Sequence, residues 1–260
     1  MRSRTPLPLW ILAAIGVAFV SLPLLALLIR APWSDLGTAF TGAGAGTALR
    51  LSIVVSLAAT VLSMVLGVPL AWVLARSTMP GRSVLRAIVV LPIVMPPVVG
   101  GLGLLAALGR GGVVGRWLHE TAGIQLTFTI WGAIVATTFV SMPLVVLATE
   151  SGLRSIDRRY EGAAAALGAG PRYAIRRVVL PMLGPSLAAG AVLAWARALG
   201  EFGATITFAG NLAGRTQTLP LAVYEARLTD PGGAIFLSLI LIAMSIGVLV
   251  AMRDRITQGH

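Results

Sequence analysis

The 260-residue chain has no cysteine and no lysine, and only two histidines, His119 and His260. Without cysteine there is no disulfide, thiolate metal site or iron–sulfur cluster, and two histidines alone do not suggest a metal or haem centre. No metal site and no catalytic cluster is therefore expected. Without lysine there is no P-loop to hold the phosphates of ATP. If the protein uses ATP, a partner must bind it. Charge is scarce as well, at 11% of residues, with nine acids set against twenty bases that are all arginine. In their place stand apolar residues: 57% of the chain is hydrophobic and the mean hydropathy is +0.91, far from the balance of a water-soluble domain. The formal charge of +11 would suit a nucleic-acid binder, but the arginines are scattered between apolar runs and form no aromatic-basic patch. No nucleic-acid partner is expected, and the chain reads as an all-α, polytopic membrane protein in contact with lipid.

A helix needs ~20 mainly apolar residues to cross the hydrocarbon core. Six runs qualify: Leu7–Ile29, Thr47–Ala75, Val84–Leu108, Thr127–Thr149, Val179–Leu199 and Gly232–Met252. The first follows Arg2 and Arg4 but is too long for an ordinary cleavable signal, and it reads as a retained anchor. Alternating the segments between the runs puts thirteen arginines on one side (Arg2, Arg4, Arg76, Arg82, Arg86, Arg154, Arg158, Arg159, Arg172, Arg176, Arg177, Arg253 and Arg255) and five on the other (Arg30, Arg110, Arg116, Arg215 and Arg227). Cytoplasmic loops retain positive charge. Both termini are accordingly expected in the cytoplasm of a multi-pass protein of the bacterial cytoplasmic membrane.

Prolines recur inside the apolar runs at Pro23, Pro69, Pro92, Pro96, Pro97, Pro143 and Pro185. Each removes a backbone donor and predicts an irregular helix. The run Gly101-Leu-Gly103-Leu-Leu-Ala106 formally matches a dinucleotide fingerprint, but no strand precedes it, so helix packing through small residues is the better reading.

The stretch from Glu161 to Pro181, EGAAAALGAGPRYAIRRVVLP, interrupts the apolar pattern. Ser155 or Asp157 can cap a short helix, Gly168 can end it, and Gly170-Pro171 can start another. On the first helix Tyr160, Ala163, Ala164 and Leu167 follow three-four spacing and share a face. A shallow apolar face of this kind serves either close contact with another protein or an amphipathic helix resting on the bilayer.

Gly162-Ala163-Ala164, Gly168 and Val178-Val179-Leu180-Pro181 resemble the EAA loop of permease subunits in bacterial ATP-binding-cassette importers. Aligned on Gly168, the family's glutamate falls at Gly162, and Glu161 lies one residue early. RALGEFGATITFAGNLAGRTQTLPLAVY (Arg197–Tyr224) and LPIVMPPVVGGLGLLAALGRGGVVG (Leu91–Gly115) look like permeases of molybdate importers, within the molybdate, tungstate and sulfate group. The resemblance covers roughly 47–252. It implies a type I importer fold, a single transmembrane domain over 1–260, and a cytoplasmic coupling loop at 150–181. In that loop Tyr160, Glu161, Gly162, Ala163, Ala164, Leu167 and Gly168 would face an ATPase subunit. It further implies a second permease copy, an extracytoplasmic substrate-binding protein, and ATP and magnesium held by the partner ATPase, with no cofactor in this chain and no covalent chemistry.

Elementary energetics agree with an external motor. Bringing a dianion into a negative interior costs about 2.3 kcal/mol per charge per 100 mV. A proton-coupled carrier needs ionisable groups in the membrane, and eight of the nine acids fall outside the expected spans; Glu201 alone lies near one. Arg197 and Glu201, spaced i,i+4, either neutralise one another and fix helix packing or stand beside the pathway or its outer gate. Arg50 reads as a snorkelling side chain. Two other classes remain: a self-contained carrier or channel, which would work in liposomes without ATP, and a membrane enzyme, for which no polar cluster is found.

Overall fold

The structure, a computed structural model, describes residues 6–35 and 44–257. Arg2, Arg4 and His260, named above, lie outside them. No strand occurs among the described residues, as the all-α reading requires. Five helices are long and apolar enough to cross a membrane: α1 (Leu7–Ile29), α2 (Ala45–Arg76), α6 (Ile130–Ser155), α8 (Pro171–Leu199) and α11 (Pro231–Thr257).

The third expected span, Val84–Leu108, is not one helix. It divides into α3 (Arg82–Val94) and α4 (Pro97–Leu108), bent by 119°. Pro96 and Pro97 are adjacent, so two successive backbone donors are missing, and Met95 ahead of them is extended, as residues before proline tend to be. The bent pair still packs along much of α6. Arg86 meets Glu150 near the close of α6, whereas Leu104 and Leu108 pack with Ala136, Val140, Ala204 and Phe208 nearer its start. By length and composition the two halves together suffice for one span, which would bring the number to six. The single prolines behave differently: Pro23, Pro69, Pro92, Pro143 and Pro185 all lie inside helices that continue past them.

At the centre, α2 and α6 run side by side in one direction and α8 runs against them. Val55 packs on Ala133 and Ile134, and Ala71 and Leu74 on Val146; Leu183 of α8 packs on Leu153 at the far end of α6. Hydroxyls join these helices, and the short helix Gly203–Phe208, across their facing surfaces. Ser63 Oγ and Ser141 Oγ are 3.1 Å apart, Trp195 Nε1 donates to Ser56 Oγ at 3.0 Å, and Thr137 and Thr205 Oγ1 lie 3.5 Å apart. In lipid such interhelical bonds are worth about 0.6 kcal/mol each, and they mainly fix which faces meet. Gly101 shows why a small residue is needed in α4. A Cβ there would come within 2.6 Å of Thr207 and 3.1 Å of the Ala204 backbone, so α4 packs directly against α9 (Gly203–Phe208).

Beyond α9 the chain folds into α10 (Leu219–Thr229), whose Leu219 and Ala222 pack with Ala45, Ala48 and Leu237. A further helix, α5 (Val113–Ala122), follows α4. Helix α1 is largely uncovered; its Leu24 and Leu28, with Trp33 beyond its end, face Phe236, Ile240 and Ile246 of α11.

Candidate functional site

Between α6 and α8 the chain makes one short helix, α7 (Arg159–Ala166). The segment expected as a loop over 150–181 thus includes the end of α6 and the start of α8. Local chemistry sets the ends of α7. The Asp157 carboxylate accepts the Arg159 N–H at 2.9 Å, satisfying one donor of the first turn. Ser155 takes no such part and donates to the Gly152 carbonyl instead. At the other end Ala169 N–H reaches back to Ala164 O and Gly168 N–H to Ala165 O, both at 3.0 Å. This paired arrangement is the Schellman termination, and it needs a left-handed residue. Gly168 supplies it, with φ +82°. Pro171 then opens α8 in its first turn, where a missing N–H is harmless.

Tyr160, Ala163, Ala164 and Leu167, which share three-four spacing, come together, and Gly168 joins them. With Ala169, Gly170, Tyr173 and Val178 they line one concavity of about 680 Å³. Its large apolar members are open: Leu167 is 88% exposed, and Tyr160 and Tyr173 are more than half exposed. The alanines keep the surface shallow.

Glu161 and Gly162 do not line this concavity. Glu161 turns back to its own chain and pairs with Arg76 at the end of α2, at 2.8 Å. Arg76 joins three elements, since its guanidinium also donates to Ile156 O at 3.3 Å and its carbonyl accepts from Arg158 at 3.4 Å. No spacing in the sequence announces this junction, because its members are far apart along the chain.

Arg197 and Glu201 do meet, at 2.7 Å. The Glu201 side chain is 1% exposed, and its second oxygen accepts the Ala204 N–H at 2.8 Å. One carboxylate thus joins the end of α8 to the first turn of α9. A charge so deeply buried is tolerable only when paired and hydrogen-bonded.

A second buried acid escaped the sequence reading. Glu150, placed above outside the spans, lies within α6 at 2% side-chain exposure, between Arg154 at 2.7 Å and Arg86 at 3.3 Å. The i,i+4 spacing to Arg154 was the available signal; the link to α3 was not. Among the described residues no group of histidines, cysteines or carboxylates could hold a metal ion.

The helical spans, the broken helix and the short helix between α6 and α8 define a permease-like membrane subunit. Residues 67–255 match the family described as "Binding-protein-dependent transport system inner membrane component", and the chain belongs to that family. It is 46% identical over 263 residues to the molybdenum transport system permease protein ModB of Mycobacterium tuberculosis, covering 100% of this chain and 98% of the relative. It is 42% identical over 200 residues to ModB of Escherichia coli, covering 76% and 87% of the two chains. The sulfate transport system permease protein CysT of Escherichia coli is 35% identical over 250 residues, with 92% and 90% covered. Among solved structures, a bacterial ABC transporter involved in the import of alginate superposes with a TM-score of 0.67 at 17% identity, covering 94% of this chain and 96% of that one. At that identity the likeness bears on the fold, which is that of an ABC importer permease.

Proposed function

We propose that the chain is the membrane permease of an ATP-driven oxyanion importer whose substrate is molybdate. Two copies would enclose the pathway, with an extracytoplasmic binding protein delivering the anion and two ATPase subunits on the arginine-rich side. Both termini would lie on that side. The likeness to ModB proteins, closer over their aligned lengths than that to the sulfate permease, supports molybdate over sulfate.

The observation that carries the coupling reading is the open concavity around Tyr160, Ala163, Ala164 and Leu167. An apolar, small-residue surface held by capped helix ends is suited to receive a rigid partner. A helix resting on lipid would instead present a convex apolar face. ATP and magnesium belong to the ATPase in this reading, since the chain has no lysine for a P-loop. The geometry of Arg197 and Glu201 favours a positioning role, because the carboxylate is consumed by Arg197 and Ala204.

The experiment is to purify the assembled complex and measure its ATPase with binding protein and molybdate, tungstate or sulfate. Stimulation by molybdate is expected. Stimulation by sulfate alone would make the chain a sulfate permease, and uptake by the permease alone in ATP-free liposomes would overturn the importer reading.

A further inference from the structure

The first turns of α8 contain a feature that the transport reading leaves unused. Arg76, Arg86, Arg154, Arg159 and Arg197 are all ion-paired. Arg172, Arg176 and Arg177 make no ion pair among the described residues, and all three are exposed. They line a single concavity of about 710 Å³ with Tyr173 and Pro181, and no carboxylate takes part.

Their convergence has a backbone cause. An α-helix turns once in about 3.6 residues, so residues five apart point ~140° away from each other. Arg172 and Arg177 would therefore diverge on a regular helix. Residues Ile175–Val179 instead form a π turn, closed by the Leu180 N–H on the Ile175 carbonyl. A π turn bonds i to i+5 and returns such residues toward one face. Arg176, four residues on, would share the face of Arg172 on any helix, and the π turn brings Arg177 into the same concavity.

The depth of the site selects the ligand. Val179, two residues beyond Arg177, is buried against Leu153, Ile156 and Leu183, so the packed interior of the bundle begins there. Leu180 and Met182 are exposed on the same stretch. Unpaired guanidiniums thus stand one turn from an uncovered apolar surface, the sequence of chemistries that a phospholipid presents from headgroup to acyl chain. Guanidinium forks match phosphate oxygens. A soluble protein partner could reach the arginines but not the apolar residues that follow them into the span.

We propose that Arg172, Arg176 and Arg177, gathered by the π turn, bind the headgroup phosphate of an acidic phospholipid whose chains lie along Leu180, Pro181 and Met182. The site would fix the base of α8 in its leaflet independently of which oxyanion is carried.

The test uses the full chain in mild detergent, titrated with phosphatidylglycerol or phosphatidylcholine, with bound lipid per chain read by native mass spectrometry. The wild type should retain phosphatidylglycerol roughly tenfold or more in preference to phosphatidylcholine. The triple variant R172Q/R176Q/R177Q should lose that preference, whereas R110Q/R116Q should keep it. Equal retention of the two lipids by the wild type would overturn the proposal, and this arm decides even if the triple variant fails to insert. A triple variant that keeps the preference would also overturn it, and would assign the arginines to protein contact if ATPase recovery fell. Displacement of phosphatidylglycerol by equimolar inorganic phosphate would make this a site for the free anion and overturn the lipid assignment.

Discussion

The guanidinium of Arg76 lies 2.8 Å from the carboxylate of Glu161 and 3.3 Å from the carbonyl of Ile156, so the end of α2 holds both the start of α7 and the end of α6. The carboxylate that stands one residue early in the EAA-like stretch is thereby spent within the chain. R76Q and E161Q should each loosen α7, at a cost of about 1–2 kcal/mol, between the exposed and buried limits for ion pairs. Uptake per ATP hydrolysed should fall in both, and the swap R76E/E161R should recover much of it. Normal stoichiometry in the single variants would show that this junction does not transmit motion.

Gly168 is held at φ +82°, and a Cβ added there would meet no atom within 4 Å. Gly168→Ala meets the backbone penalty alone, about 1–2 kcal/mol. Gly168→Arg adds bulk at the rim of the concavity. Less ATPase should co-purify with Gly168→Arg than with Gly168→Ala, while membrane insertion is unchanged in both. Equal recovery with undiminished uptake in Gly168→Arg would remove this turn from the ATPase contact.

For Arg197 and Glu201 the buried pair predicts non-additivity. R197Q leaves the Glu201 charge uncompensated at 1% exposure, and E201L leaves Arg197 unpaired and the Ala204 N–H without its acceptor. Each should destabilise the protein by roughly 3–5 kcal/mol, with the double variant less affected than the sum, as read by thermal unfolding in detergent. A double variant of normal stability that transports nothing would place the pair in the pathway instead.

Single cysteines can be read cleanly because the chain has none. Cysteines at Ser83 and Ser155, both exposed on the arginine-rich side, should be protected from an impermeant thiol reagent added to intact cells. One at Ala213, exposed in the loop between α9 and α10, should react. Thr216 in the same loop is unsuitable, since it is fully buried and its hydroxyl bonds Gly210 O and Leu212 N–H. Outside labelling at Ser155 would reverse the orientation.

The spans were legible because long apolar runs need no partner to declare themselves: α1 begins and ends at the residues hydropathy marks. The ends of α7 were legible because Asp157, Gly168 and Pro171 act on their own backbone neighbours. The break at Pro96–Pro97 was not, since proline recurs in most spans and those at Pro23, Pro69, Pro92, Pro143 and Pro185 leave their helices continuous. Junctions between distant segments, such as Arg76 with Glu161 and Arg86 with Glu150, leave no local spacing to read. The short helices α9 and α10 went unread because they have few turns and owe their form to packing, Gly203 lying against Pro97 and Leu219 N–H bonding Ser52 Oγ.

The interruption at Met95–Pro97 also has a mechanical meaning. Helices carry torsion through their ladder of backbone bonds, and here the last bond of α3, Met95 N–H to Leu91 O, is followed by two residues with no N–H to offer. Both halves lie against α6, but at different heights and with different further ties: α3 is held through Arg86 at the base of α6, and α4 is also seated through Gly101 on α9. A twist applied at the base is therefore expected to die at the joint, leaving the upper half seated while the lower half turns, as a universal joint separates two shafts.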